Sequence, residues 1–186
     1  MFDTREVDWV ARAQHGEVDA IGALYDQHHD SIFRYLWLRV ADRALAEDFT
    51  GDVFLRMLDA LPRYQAQGIP FRAWLYRIAH NLMVDYFRKV NQRTPLALNA
   101  ADDQHAGDDP EATIEQTLRI ERVQAALAKL EESQCEVVTL RFLLGLSLQE
   151  TALVVGKSEA AIKSLQHRGL DALRRALKPL EEPMTA

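Results

Sequence analysis

Residues 147–178 read SLQETALVVGKSEAAIKSLQHRGLDALRRALK, and the stretch has the signals of a helix-turn-helix. Ser147 stands three residues before Glu150. That is the spacing of a capping box, in which two side chains satisfy two of the backbone N–H groups left over at a helix start. Leu148, Thr151, Ala152 and Val155 then make one short apolar face. Gly156 ends the helix, where a left-handed residue is needed and glycine adopts it at least cost. Ser158 is placed to cap a second helix. In that helix Ala161, Ile162, Leu165, Gly169, Leu173 and Leu180 lean toward a core, and Lys163, Ser164, Gln166, His167, Arg168, Arg174 and Arg175 are left outside. The second helix of such a motif lies in the DNA major groove. The competing reading of this stretch is an ordinary helical hairpin with a solvated basic face.

Working outward, residues 114–130 carry a helical stripe of Leu118, Val123, Ala126 and Leu130. Ser133 and Glu136 have the spacing of another capping box, before QCEVVTLRFLLG, and Gly145 closes that helix. Cys135 is the only cysteine, which excludes an intramolecular disulfide and a Cys-rich zinc site; its apolar surroundings predict buried filler. Residues 91–113, NQRTPLALNAADDQHAGDDPEAT, are acidic, have two prolines and a glycine, and sustain no apolar face. They read as a flexible linker. Fully extended it reaches about 75–80 Å at ~3.3–3.6 Å per residue, more than two duplex turns of ~34 Å each.

The first half is also helical throughout, with Pro and Gly at the breaks. Residues 4–15 form a short helix ended by Gly16, and 18–40 one or two helices with Ile21, Leu24, Tyr25, Ile32, Phe33, Tyr35, Leu36, Leu38 and Val40 as packing candidates. His28 and His29 are adjacent there, and neighbouring helical side chains diverge too far to share a metal. Residues 43–61 place Leu45, Phe49, Val53, Met57 and Leu61 in a stripe supported by Phe54 and Leu58, with Glu47, Asp48, Asp52 and Asp59 outside. That acidic face is either solvated or a dock for a basic partner. After the break LPRYQAQGIP at 61–70 comes FRAWLYRIAHNLMVDYFRK at 71–89. Phe71, Trp74, Leu75, Ile78, Ala79, Leu82 and Tyr86 follow helical spacing. Arg72, Arg77, His80, Asn81, Arg88 and Lys89 occupy other faces. Aromatics beside cations suit single-stranded nucleic acid, where bases stack on rings and cations hold phosphates. For most of these aromatics a core role is the expectation; for the basic groups it is nucleic acid.

Composition bounds the rest. The 186 residues allow one domain or two small ones, and a hydrophobic fraction of 48% is that of a globular protein. No apolar run approaches the ~20 residues of a membrane span and the first residues lack a signal-peptide core, so a cytoplasmic protein without membrane insertion is expected. The net charge of −6 opposes simple DNA binding. Its distribution does not: residues 71–93 hold five basic groups and one acidic, and 157–178 hold six and two. Two basic islands in an acidic chain predict weak DNA binding alone, with a larger partner supplying the remainder. No nucleophile–base pair, phosphate loop or metal cluster is evident, so no catalytic residue, metal, cofactor or small-molecule substrate is expected.

Three segments together resemble the extracytoplasmic-function (ECF) group of bacterial RNA polymerase sigma factors, the minimal sigma-70 form. They are AEDFTGDVFLRML at 46–58, PFRAWLYRIAHNLMVDYFRK at 70–89 and VVTLRFLLGLSLQETALVVGKSEAAIKSLQHRGLDALRR at 137–175. The resemblance implies an all-α chain of two small helical domains, 1–90 and 114–186, joined by the flexible acidic linker 91–113, with the helix-turn-helix in the second. It implies a subunit that binds core RNA polymerase and directs promoter-specific initiation without catalysis. The helix with Asp48, Asp52, Phe54 and Arg56 is similar to the surface that docks the beta-prime clamp helices, and the second domain would meet the beta flap. Residues matching the minus-ten reader are Phe71, Arg72, Trp74, Arg77, Asn81, Asp85, Arg88 and Lys89, with Tyr64 and Gln65 in the loop that takes an unstacked non-template base. Ser158, Lys163, Ser164, Gln166, His167 and Arg168 would meet the minus-thirty-five element. The family also implies an anti-sigma factor, and no further C-terminal domain is expected to take that role in cis. Gly51 departs from the family pattern on the docking surface. Leu165 and Gln166 stand where many members have Arg then Leu, which implies a different promoter sequence.

Two other classes fit parts of the sequence. A conventional helix-turn-helix regulator would need an effector-binding first half and would dimerise on paired half-sites. A small helical hydrolase would need a catalytic role for His28 or His29.

Overall fold

The structure, a computed structural model, describes residues 4–66, 68–93, 120 and 122–177, the side chains of 90–93 excepted. Every regular element among them is helical. In the first unit, built on four helices, α1 (Thr4–Gln14) is ended by Gly16 at φ +83°. α2 (Val18–Val40) is a single helix, closed by Ala41 in the left-handed region at φ +54°. A Cβ makes that conformation cost roughly 1–2 kcal/mol. The next residue starts α3 (Arg43–Ala60): the Asp42 carboxylate accepts the Leu45 N–H at 3.0 Å. α3 runs into a 3₁₀ turn, Leu61–Arg63, with Pro62 in its first turn. α4 (Phe71–Arg93) follows, opened by Trp74 N–H donating to the Pro70 carbonyl at 3.1 Å. It extends past the expected domain end at 90, so the linker's first three residues are helical; residues 94–113 lie outside the described residues.

α2 packs on α1, α3 and α4. Leu24, Ile32, Tyr35 and Leu36 of α2, Met57 of α3 and Leu75 and Met83 of α4 are fully buried. Each large apolar side chain buried in this way contributes about 1.5–3 kcal/mol relative to exposure. Two sequence expectations are corrected here. Tyr25 is not core but 42% exposed, resting on Phe54 with ring centroids 4.6 Å apart. In α3, Val53, Met57 and Leu61 are buried, yet Leu45 and Phe49 sit at the margin, and Ala46, Thr50 and Phe54 go inside. Residues spaced by four advance about 40° per step on a 3.6-residue helix, so five of them cannot hold one face.

In the second unit, residues 122–127 form α5; Ala126, Leu127 and Leu130 are buried, Val123 is half-buried, and Leu118 lies outside the described residues. α6 (Glu132–Val138) starts one residue before Ser133, so the expected Ser133–Glu136 capping box does not form. Glu131 holds the cap position, the Ser133 hydroxyl donates to its carboxylate at 2.6 Å, and Glu136 is buried. Cys135 is buried and reduced. α6 continues into a π-helical turn, Thr139–Leu143, where Leu144 N–H reaches back five residues to Thr139 O. Gly145 at φ +69° then turns the chain toward α7 (Leu148–Val155) and α8 (Glu159–Leu177). α8 packs on α6.

Candidate nucleic-acid and polymerase interfaces

The helix-turn-helix forms as its sequence signals require. Ser147 N–H donates to the Glu150 carboxylate at 2.7 Å and Glu150 N–H donates to Ser147 Oγ at 3.1 Å, a complete capping box. Gly156 is left-handed at φ +69°, and Ala161 N–H donates to Ser158 Oγ at 3.2 Å, capping α8. In α7, Thr151 is buried and Leu148 and Ala152 are half-buried, as the expected apolar face requires. α8 is two-faced. Ile162, Leu165 and Gly169 are buried, Ala161 and Leu173 half-buried, and Leu180 lies outside the described residues. Lys163, Ser164, His167 and Arg168 are exposed together, at positions that fall within one half of the helix circumference. Lys163 and Arg168 have no ion-pair partner among the described residues, whereas His167 lies 3.4 Å from Asp171, which also accepts from Arg174 at 2.8 Å. Gln166 is a correction: it is half-buried beside the inner face, and its side-chain oxygen accepts from Arg141 Nε at 3.2 Å. Arg141 also donates to the Leu146 carbonyl, so it ties the π turn to α8.

In the first unit α4 exposes Arg72, Arg77, Asn81, Val84, Arg88 and Lys89. Arg88 is paired with Asp85 at 3.0 Å. Phe71 is not at this surface: it is 2% exposed and packs on Tyr64, Trp74 and His28, so it supports the site from beneath. Trp74 is half-buried, 4.7 Å from the Tyr64 ring. Tyr64, Trp74, Asp59, Ala60 and Arg63 line a cleft of ≈370 Å³. Gln65 is exposed in the loop, whose residue 67 lies outside the described residues. The Tyr64 hydroxyl donates to the Ile69 carbonyl at 2.8 Å. Burial, and then the nearby Glu6 carboxylate, push its phenol up to about 12. The neutral ring presented to the cleft suits stacking against a base.

The outer face of α3 carries Asp48, Asp52, Leu55, Arg56 and Asp59, with Gly51 among them. Asp48, Asp52 and Asp59 have no ion-pair partner among the described residues, while Glu47 is paired with Arg43 at 3.0 Å. Phe54 is the correction on this surface: at 5% exposure it is core, beneath the tilted ring of Tyr25. Leu55, 62% exposed between the aspartates, takes the apolar place on the face. Sequence reasoning missed Leu55 on this face and Asp59, Ala60 and Arg63 at the cleft. The first could have been found by helical geometry, because it shares the arc of Asp48, Asp52 and Asp59.

The sigma-70 region 2 family model matches residues 24–94, and the sigma-70 region 4 model matches 126–175. The ECF RNA polymerase sigma factor SigX of Bacillus subtilis is 32% identical over 167 residues, an alignment covering 87% of this chain and 85% of SigX. The chain belongs to the ECF sigma factors. A second relative, the ECF RNA polymerase sigma factor BldN of Streptomyces coelicolor, is 42% identical over 93% of this chain, which spans 66% of the length of BldN. CnrH, solved in complex with the cytosolic domain of CnrY, matches with a TM-score of 0.70 at 26% identity over 97% of this chain and all of that one. The fold is also that of the sigma factor RpoE of Bartonella quintana, solved with the anti-sigma factor NepR (TM-score 0.68, 19% identity, 87% of this chain and 98% of that one). As an ECF sigma factor the chain directs RNA polymerase to promoters. The region 2 match spans the half that a conventional regulator would devote to effector binding. Among the described residues no helix is long and apolar enough to cross a membrane.

Proposed function

We propose that the three exposed faces divide the work of promoter recognition. The acidic face of α3 docks the beta-prime clamp helices through Asp48, Asp52, Leu55 and Arg56. Its three aspartates, without an ion-pair partner among the described residues, stand around an exposed leucine and support this, since a charged rim and an apolar contact are what a basic helical partner can use. Arg72, Arg77, Asn81, Arg88 and Lys89 of α4 hold the separated non-template strand at the minus-ten element. The cleft between Tyr64 and Trp74 takes an unstacked base, whose extrusion costs a few kcal/mol. In the second unit, α8 enters the major groove at the minus-thirty-five element. Lys163 and Arg168 meet phosphates or guanine edges, Ser164 and His167 read beside them, and Ser158 contacts the backbone. The same unit meets the beta flap.

The observation that carries this reading is the two-faced α8, whose cations gather on the side that does no packing. The chain acts as a non-catalytic subunit, in the cytoplasm with the polymerase. We assign it a protein partner that holds it inactive, an anti-sigma factor; that CnrH was solved bound to a second protein, CnrY, supports a protein partner. The test uses full-length chain and purified core polymerase. Asp52→Lys is expected to abolish one-to-one co-elution with core at moderate salt. Arg168→Ala is expected to leave co-elution intact and to lower promoter affinity by about 1–3 kcal/mol, the range for a base contact. Equal loss of both activities in Arg168→Ala, or unchanged affinity for core in Asp52→Lys, would refute the division of surfaces.

A further inference from the structure

The loop that shapes the cleft is held from the far end of the chain. Gln14, on the last turn of α1, donates its side-chain amide to two main-chain carbonyls: Leu61 at 3.0 Å and Tyr64 at 2.7 Å. Both neighbours are acceptors only, so the amide is oriented with its NH₂ toward them. The two carbonyls bracket the 3₁₀ turn, and Tyr64 N–H closes that turn on the same Leu61 oxygen at 3.0 Å. Tyr64 is thereby fixed at three points: its N–H, its carbonyl, and its hydroxyl on Ile69 at 2.8 Å. A second tie lies at the other end of α1, where Glu6 and His28 are 2.8 Å apart, both largely buried, with the His28 ring 5.5 Å from Phe71. Gln14 does not line the cleft, so any influence it has on a bound base passes through the 61–64 turn.

We infer that Gln14 is a positioning residue for base capture: α1 clamps the 61–64 turn so that the Tyr64 ring stands ready beside Trp74 before DNA arrives. This rests on the assignment of the cleft to an unstacked minus-ten base. Physically it is preorganisation. A loop that must find one backbone geometry on binding loses affinity to that ordering, and a loop already held in it does not. An exposed four-residue connection bonded only to itself would lack that constraint; the two bonds from Gln14 are long-range, spanning 47 and 50 residues.

The test works without a known promoter sequence. Holoenzyme assembled from core polymerase and the full chain selects from a single-stranded DNA library randomised over one promoter element. Wild type is compared with Tyr64→Ala, Gln14→Leu and Gln14→Glu; the last keeps the side-chain size but replaces the paired donors with a carboxylate. Tyr64→Ala is expected to erase the base preference at one position. Both Gln14 variants are expected to erase the same position and leave the others. Their affinity for the selected sequence should fall by about tenfold, the factor that one or two neutral hydrogen bonds supply. For a sequence scrambled at that base their affinity should equal that of wild type. If Tyr64→Ala erases a position and the Gln14 variants retain it, the inference fails while the cleft assignment stands. Uniform weakening at every position would make Gln14 merely structural and also overturn it. If Tyr64→Ala erases nothing, the cleft assignment falls and the inference falls with it. Co-elution of each variant with core polymerase reports folding, and Gln14→Glu keeps the test intact should Gln14→Leu fail to fold.

Discussion

At Gly169, α8 packs tightly on α6. A Cβ on it would stand 2.8 Å from Val138 Cγ2 and 3.3 Å from the Gln134 carbonyl oxygen. The first distance cannot be met without displacing a buried neighbour. Gly169→Ala is therefore expected to destabilise the second unit by about 1–3 kcal/mol, the range for overpacking a core, read as a lower urea midpoint at unchanged m-value. Tyr64 yields a second expectation at this scale. Its folded phenol titrates at about 12, against 10.0 for the free group. A pKa raised by folding means the neutral form is favoured by the fold. That stabilisation is complete below pH 10 and is lost as pH rises toward 12. Tyr64→Phe keeps the ring and removes the titration, so its denaturation midpoint is expected to fall less than that of wild type across this window. Neither residue's part was legible in the sequence. The sequence turns Gly169 toward the core, but the close approach depends on how two helices cross. It puts Tyr64 in the loop that resembles a base-capturing one, but the burial of its ring and the nearness of Glu6, 58 positions away in the chain, depend on the fold.

At the scale of the element, local rules were the readable part. Ser147 with Glu150, Gly156 and Ser158 sit where their bonding requires, because caps and left-handed turns involve partners within a few residues. The errors have one cause. Side chains were assigned to faces by type or by a constant step of four, and helices precess. Phe54 and Phe71 point inward, away from the charged faces that their helices expose, whereas Leu55 points outward on the arc of the aspartates. The π turn at Thr139–Leu143 had no sequence signal at all. It leaves the Thr139 hydroxyl buried without a hydrogen-bond partner among the described residues. α3 supplies a prediction of its own. Gly51 lies on its exposed arc, and nothing comes within 4 Å of a Cβ built there. Gly51→Ala is expected to stabilise the first unit by roughly 1 kcal/mol through helix propensity, measured by denaturant unfolding. A gain of this size would show that glycine at this position does not serve the stability of the helix.

For the whole molecule the segment order carried the family, because three motif-bearing stretches in a fixed sequence are far more specific than any one of them. Composition alone would have misled: a net charge of −6 hides two cationic surfaces. The proposed division of labour has a consequence for combined variants. Asp52 lies in the first unit and Arg168 in the second, and neither forms an ion pair among the described residues. Sites without shared partners add, so the Asp52→Lys, Arg168→Ala double variant is expected to show the core-affinity loss of the first and the promoter-affinity loss of the second, with no coupling beyond about 0.3–0.5 kcal/mol. Co-elution at moderate salt measures the first, and promoter binding with core in an excess that restores assembly measures the second. The two faces of α8 also bear on how such proteins diversify. Ile162, Leu165 and Gly169 hold the helix in place, and Lys163, Ser164, His167 and Arg168 contribute no buried contact. Mutation can rewrite the second set while selection guards the first. A duplicated gene could then acquire a new set of target promoters by a few surface substitutions, keeping its fold and its enzyme throughout.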